Sequence, residues 1–360
     1  MMNLRASKRF SVTLFTSLLM ATCLFVIAQA EGGQDDLATI TDLGLLPGYT
    51  ISNAHALNDE GHVALNLELE KPIRAFLWRD GELTELGTLG GPESFVREVN
   101  NVDQVVGWSL TDTGEQHAFL WEEGTMRDLG TLGGDESEAA GINASGQVVG
   151  WSLTDTGEQH AFLWEEGTMT DLGTLGGVSS SANSINDAGQ IAGEFVDEEG
   201  NRHAFLWQDG TMQELGTLPG FDEGIGRRIN NLGQVTGWAV QVRTEGPRHV
   251  VLWDGDDITD LGTLGGRDFG GDNGIAFSIN DAGLIVGRSN DLFMSEVQRA
   301  FVYHDGVITD LNALLKPTPG WFLYEAADIN NRGQIAGHGL YRGQVRAFLL
   351  TLPASMTEHQ

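Results

Sequence analysis

The sequence predicts an all-β fold: a seven-bladed β-propeller of four-stranded blades, closed by an N-terminal strand that completes the C-terminal blade. The first observation behind this is an internal repeat. Gly107 to Gly134 reads GWSLTDTGEQHAFLWEEGTMRDLGTLGG, and Gly150 to Gly177 repeats it with only Arg127 changed to Thr170. A period of about 43 residues without helical patterning matches a propeller blade and is long for a β-helix coil. The second observation is that three landmarks each occur seven times. An apolar residue plus Asn ends at Asn58, Asn100, Asn143, Asn186, Asn230, Asn280 and Asn330. An Ala-Phe pair (once Val-Val) starts at Ala75, Ala118, Ala161, Ala204, Val250, Ala300 and Ala347. An acid-Leu-Gly (or Asn) triplet starts at Asp42, Glu85, Asp128, Asp171, Glu214, Asp260 and Asp310. The third observation is an offset. The last unit stops near Leu352 without its acid-Leu-Gly strand, and the missing piece stands at the other end as Ile40-Thr41-Asp42-Leu43-Gly44. Pairing the two closes the ring and removes the open sheet edges a linear array would leave.

Each unit reads as strands A to D. In the fourth, Ser181 to Asn186 is strand A, and Asp187-Ala188-Gly189 turns into strand B at Gln190. His203 to Trp207 is strand C, an unbroken apolar run that predicts burial on both faces. Asp209-Gly210 marks a hairpin, and Met212 to Leu218 is strand D. Domain organisation follows: residues 1–30 a signal peptide, 31–352 a single propeller domain, and 353–360 a short tail. Arg5, Lys8 and Arg9 precede an apolar run from Val12 to Ile27, and Ala28-Gln29-Ala30 offers a small-x-small cleavage site. The one cysteine, Cys23, leaves with that segment. The mature chain would then stand in an oxidising compartment without disulfides, secreted or periplasmic, held by its core alone.

Composition narrows the partners. After cleavage, 17 basic residues face 51 carboxylates, a net charge near −34. Such a surface repels nucleic acid and anionic membranes. No membrane span after cleavage and a monomeric state are expected.

The His-Ala-Phe-Leu-Trp block, with Ile-Asn-x-x-Gly-Gln before it and Asp-Leu-Gly-Thr-Leu-Gly-Gly after it, resembles the bacterial HAF-repeat family of probable extracellular proteins. The resemblance runs over residues 38–352 and is loosest in the last two units, at Phe301-Val302-Tyr303 and Phe348-Leu349-Leu350. It implies secretion and a repeat architecture, and it brings no catalytic residue with it.

Within each unit a basic residue precedes the Ala-Phe pair, and in six units an acid follows eleven residues later. The pairs are Arg74 with Glu85, His117 with Asp128, His160 with Asp171, His203 with Glu214, His249 with Asp260, and Arg299 with Asp310. Closure supplies the seventh, Arg346 with Asp42. A turn at Glu123-Gly124 sets Phe119 opposite Asp128 and His117 opposite Gly130, which leaves His117 and Asp128 diagonal neighbours on one face. Sevenfold use argues for a structural pair between strands C and D rather than a catalytic couple. The tryptophans ending strand C (Trp78, Trp121, Trp164, Trp207, Trp253) read likewise as packing between blades.

The chain carries no zinc, nucleophile-elbow, phosphate-loop or calcium-loop motif. No cofactor is expected; calcium is the one candidate, through Asp268 and Asp272 or the linker acids Asp135, Glu136 and Glu138. The A–B and C–D turns are uniform, whereas the B–C and D–A loops vary. A ligand, protein or glycan, is therefore expected on the varied face near the axis, with Arg97, Arg227, Arg228, Arg267, Asp272 and Trp321 as candidate residues. The leading function is a binding or interaction scaffold. The alternative is an extracellular polysaccharide hydrolase or lyase with an active site on the same face.

Overall fold

A computed structural model describes residues 37–68, 72–241, 248–265, 273–290, 297–316 and 320–357. The expected signal peptide, Arg267, Asp268 and Asp272 lie outside these residues. Among them, no helix is long and apolar enough to cross a membrane. The chain forms seven four-stranded antiparallel sheets, a seven-bladed propeller. Strand A is innermost in each blade: Ile51–Leu57, Gly90–Val99, Gly133–Ile142, Ser179–Ile185, Glu223–Ile229, Gly274–Ile279 and Trp321–Ile329.

The tight turns form for the expected local reasons. At Asn186 the N–H of Gly189 donates to the carbonyl of Asn186 at 3.0 Å, and Gly189 has a φ of 77°. The hairpin at Asp209-Gly210 places both residues at positive φ, 50° and 82°, as a two-residue turn with right-handed twist requires. Strand D of that blade, Thr211–Glu214, ends earlier than Leu218, because the ladder gives way before Gly216 turns left-handed at φ 73°.

Packing follows the repeat. Seven apolar clusters form the core, and each lies in the seam between two neighbouring blades. The strand-C phenylalanines Phe76, Phe119, Phe162, Phe205, Phe301 and Phe348 are all essentially inaccessible. Trp121, Trp164 and Trp253 fill the same seams, and Trp78 and Trp207 pack against them half-buried. Burial of this kind contributes roughly 25 cal/mol per Å² of apolar surface and is the main stabilising term in a fold without disulfides.

The ring is closed by the N-terminal strand. Thr39–Asp42 pairs antiparallel with Gln344–Thr351, setting Ile40 opposite Leu350 and Asp42 opposite Phe348. A second closure is made of side chains. Asn58 Nδ2 donates to the Asn100 carbonyl at 3.1 Å, and each landmark asparagine repeats this contact with the next blade. Asn330 returns to the Asn58 carbonyl at 2.9 Å, so seven buried amides form an unbroken circle. The same side chains use Oδ1 to accept from N–H groups two and four residues on, as Asn186 does from Ala188 and Gln190. One residue type thus shapes the turn and joins the blades.

The strand C–D base–acid contacts are present in all seven blades. The histidine pairs lie at 2.8–2.9 Å, Arg299–Asp310 at 2.7 Å, Arg74–Glu85 at 3.8 Å and Arg346–Asp42 at 3.7 Å. The register differs from the expected one by one residue. Gly130 faces Ala118 rather than His117, because an irregularity between Ala118 and Phe119 adds a residue to strand D. The Asp128 carboxylate holds this kink, accepting from the Gly130 N–H at 2.8 Å and meeting His117 Nδ1 at the same distance. That double duty explains the acid-Leu-Gly triplet.

Candidate functional site: an axial cavity walled by seven bulges

Every inner strand carries the same defect. Between the residues four and two before the landmark asparagine, the register slips by one, leaving the residue three before it unpaired. A bulge bends its strand and re-aims the extra side chain. In six blades the residue opposite is a strand-B glycine: Gly107, Gly150, Gly193, Gly237, Gly287 and Gly337. The reason is close approach. At Gly150 a Cβ would collide with the Glu138 carbonyl oxygen that the bulge pushes inward.

The seven re-aimed residues are His55, Arg97, Ala140, Asn183, Arg227, Phe277 and Ala327, and all of them line one cavity of about 410 Å³ on the axis. Glu138, Ser181 and Glu325 join them from two residues earlier in strand A, with Trp151, Gln159 and Glu194 from strands B and C. The cavity thus occupies the half of the channel nearer the D–A loops.

The other half is sealed by charge. Arg228 reaches from the fifth blade across to Glu98 of the second, and its Nη2 donates to Asp328 Oδ1 of the seventh at 2.8 Å. Asp328 also accepts from Ser278 Oγ at 2.6 Å and from the Leu57 N–H at 2.8 Å. Both carboxylates are buried, and their desolvation is offset by these contacts and by the Val99 N–H, which donates to Glu98 Oε1 at 3.2 Å. Beyond the seal, the asparagine circle rims a smaller space of about 160 Å³.

The groups of the main cavity are unequally engaged. Arg97 Nε donates to Glu138 Oε1 at 2.5 Å, Arg288 Nη1 to Glu325 Oε2 at 2.6 Å, and Arg202 Nη1 to Glu194 Oε1 at 3.0 Å. Arg227 has no ion-pair or hydrogen-bond partner among the described residues. Its guanidinium lies over the rings of Trp238 and Phe277, 5.6 and 6.0 Å from their centroids. Burial and the neighbouring Arg97 both disfavour its charge, pulling its pKa below the usual arginine value, but a guanidinium stays protonated at neutral pH. His55 is held well below the ordinary imidazole range, by burial first and then by Arg97 and His338. It is neutral at pH 7, against the Phe95 ring at 4.7 Å.

Of the candidate ligand residues, Arg97 and Arg227 line this cavity, and Arg228 borders it as the hub of the seal. Trp321 stands elsewhere, stacked on Tyr341 at 4.8 Å and edge-on to Phe348 at 5.9 Å in the last blade's core. The acids read as a linker, Asp135, Glu136 and Glu138, lie within strand A of the third blade, and Glu138 faces Arg97 there. His55, Trp151, Asn183, Glu194, Phe277 and Glu325 were missed by sequence reasoning. The signal is positional: His55, Asn183, Phe277 and Glu325 stand three or five places before the repeated asparagine, and Trp151 and Glu194 eight places after it.

No family model matches the chain, and no curated protein matches it. Solved structures match its fold. The β-propeller domain of the Trilobed protease from Pyrococcus furiosus superposes with a TM-score of 0.57 at 10% identity, over 84% of this chain and 95% of that one. That domain is described as having an open velcro topology, whereas here the terminal strands pair. A catalytically inactive virginiamycin B lyase from Staphylococcus aureus, solved with quinupristin, gives 0.54 at 13% identity, over 88% and 99% of the two chains. These likenesses establish the propeller.

Proposed function

We propose that the protein is a secreted or periplasmic binding scaffold of the HAF-repeat type, and that its ligand seat is the axial cavity. The bulge is the observation that carries this reading. Seven blades built alike aim side chains of five kinds into one space, and diversity at an axis-facing column of a repeat is spent on recognition rather than on folding. The cavity is closed at one end by the Arg228 seal, which gives it the form of a pocket and not a pore. Export is supported by the basic start, apolar run and Ala28-Gln29-Ala30 of the first thirty residues, and an intact mass beginning at Glu31 is the expected product.

A polysaccharide hydrolase or lyase would use the same cavity, and the neutral imidazole of His55 is the observation on that side. Yet Glu138, Glu194 and Glu325 are each engaged by an arginine, so a binding role accounts for more of the lining. The test is a screen of the mature protein against glycans, peptides and calcium, repeated with Ala140→Trp. Indole placed at that unpaired bulge position fills the cavity without breaking a ladder bond. Any ligand found should be lost in the variant while its melting temperature holds; a ligand bound equally by both proteins overturns the assignment of the cavity.

A further inference from the structure

Resting on the reading of the axial cavity as a binding site, we propose that its ligand is an acidic saccharide, a uronate whose carboxylate is held by Arg227. The argument begins with an imbalance. Arg97 and Arg228 line the cavity, Arg202 and Arg288 hold its glutamates Glu194 and Glu325, and each of the four is tied to at least one carboxylate. Arg227 alone among them has no such partner among the described residues. The chain has 51 carboxylates against 20 basic residues, so leaving one inward-facing guanidinium bare points to an anion supplied from outside. Lying over Trp238 and Phe277, the guanidinium keeps its donating edge for a planar, bidentate acceptor, and a carboxylate is that shape.

The walls limit the charge of that anion. Glu138, Glu194 and Glu325 line the same space, and they repel a doubly charged phosphate more than a single carboxylate. They also define the rest of the ligand. Trp151 offers an apolar face to a ring, while Asn183, Ser181 and Gln159 offer amide and hydroxyl groups to its hydroxyls. A pyranose has both an apolar C–H face and a rim of hydroxyls; an aliphatic acid has only the first.

Calorimetric titration of the mature protein with glucuronate and galacturonate, and with glucose, galactose, acetate and inorganic phosphate, tests the proposal. Uronates should bind at least about tenfold more tightly than the matching neutral sugars, the usual scale for a charged hydrogen-bonded contact. Acetate and phosphate should bind far more weakly. Arg227→Met should abolish the preference for uronates, and Arg227→Lys, which keeps charge without the fork, should retain part of it; far-ultraviolet circular dichroism checks that both variants fold. Equal binding of neutral sugars and uronates, no binding of uronates at all, acetate binding as tightly as uronates, or a preference that survives Arg227→Met would each overturn it. Ala140→Trp separates the two readings. If it abolishes uronate binding while Arg227→Met leaves the preference intact, the cavity stands and the assignment of the carboxylate to Arg227 falls; if uronate binding survives Ala140→Trp, the cavity assignment itself fails.

Discussion

Two positions three residues apart, the bulged residue of the inner strand and the asparagine that follows the strand, are treated oppositely by the seven blades. The later position is asparagine every time, and its amide joins neighbouring blades in a closed circle of hydrogen bonds of 2.9–3.1 Å. The earlier position is histidine, arginine, alanine, asparagine, arginine, phenylalanine and alanine in turn, and all seven side chains reach one cavity. Backbone geometry is the same at both positions in every blade, so the contrast lies in the side chains. Where a residue's partner is the next copy of itself, all copies must agree. Where its partner is an empty space on the axis, they are free to differ.

If the repeated elements hold the ring, disrupting them should cost stability in proportion to what they close. Deleting residues 38–44 removes the closing strand, the Ala38 and Leu43 core contacts and the Asp42–Arg346 pair. Urea unfolding should show a loss of about 5 kcal/mol or more, whereas removing the residues after Pro353 should change little. Arg228→Met comes next, since it strands the buried carboxylates of Glu98 and Asp328, and should lower stability by about 3–5 kcal/mol. A Met variant as stable as the parent would show that the seal is not a structural tie. Asn230→Ala should cost about 2 kcal/mol, because the buried Asn280 carbonyl loses its donor and the Leu232 and Gln234 N–H groups lose their acceptor.

The two positions were not equally legible in the sequence. The asparagine was visible because it repeats, and closure was visible because Asp42 is an acid without a strand C before it and Arg346 a base without an acid after it. The eleven-residue spacing of His117 and Asp128 likewise led to a real contact, although strict two-residue alternation misplaced Gly130 by one. That same alternation hides the site. It assigns Arg97, Arg227 and Arg228 to one side or the other of a regular strand and cannot register an inserted residue. The paired signal was nonetheless present, in the strand-B glycine that faces the bulge in six of the seven blades, as in Val-Val-Gly-Trp of the second and third. The Arg228 seal had no signal at all, since its partners Glu98 and Asp328 lie 130 and 100 positions away and meet it only across the axis.

A smaller effect separates one blade from the others on the outer strands. His203 contacts both Glu214 and Asp197, each at 2.9 Å, whereas His117 and His160 each have one close carboxylate. Burial works against its charge, but the bonds and attraction of Asp197 and Glu214 outweigh it and raise its pKa. A raised folded-state value means the charged pair stabilises fully below the unfolded histidine pKa of about 6.5 and loses that contribution as pH climbs through the raised value. The melting-temperature gap between the parent and His203→Ala should therefore be wider near pH 5 than near pH 8. A gap that does not change with pH would assign the histidine's role to packing alone.

The most direct measurement is a paired titration of whatever ligand the mature protein captures, against Ala327→Trp at the varied position and His160→Ala at a repeated one. The tryptophan variant should lose binding and keep its melting temperature. The His160 variant should keep binding and melt lower by the equivalent of about 0.5–1 kcal/mol, the scale of a side-chain hydrogen bond. Binding that survives Ala327→Trp but is lost in His160→Ala would place recognition on the repeated outer strands and contradict the division of labour drawn here.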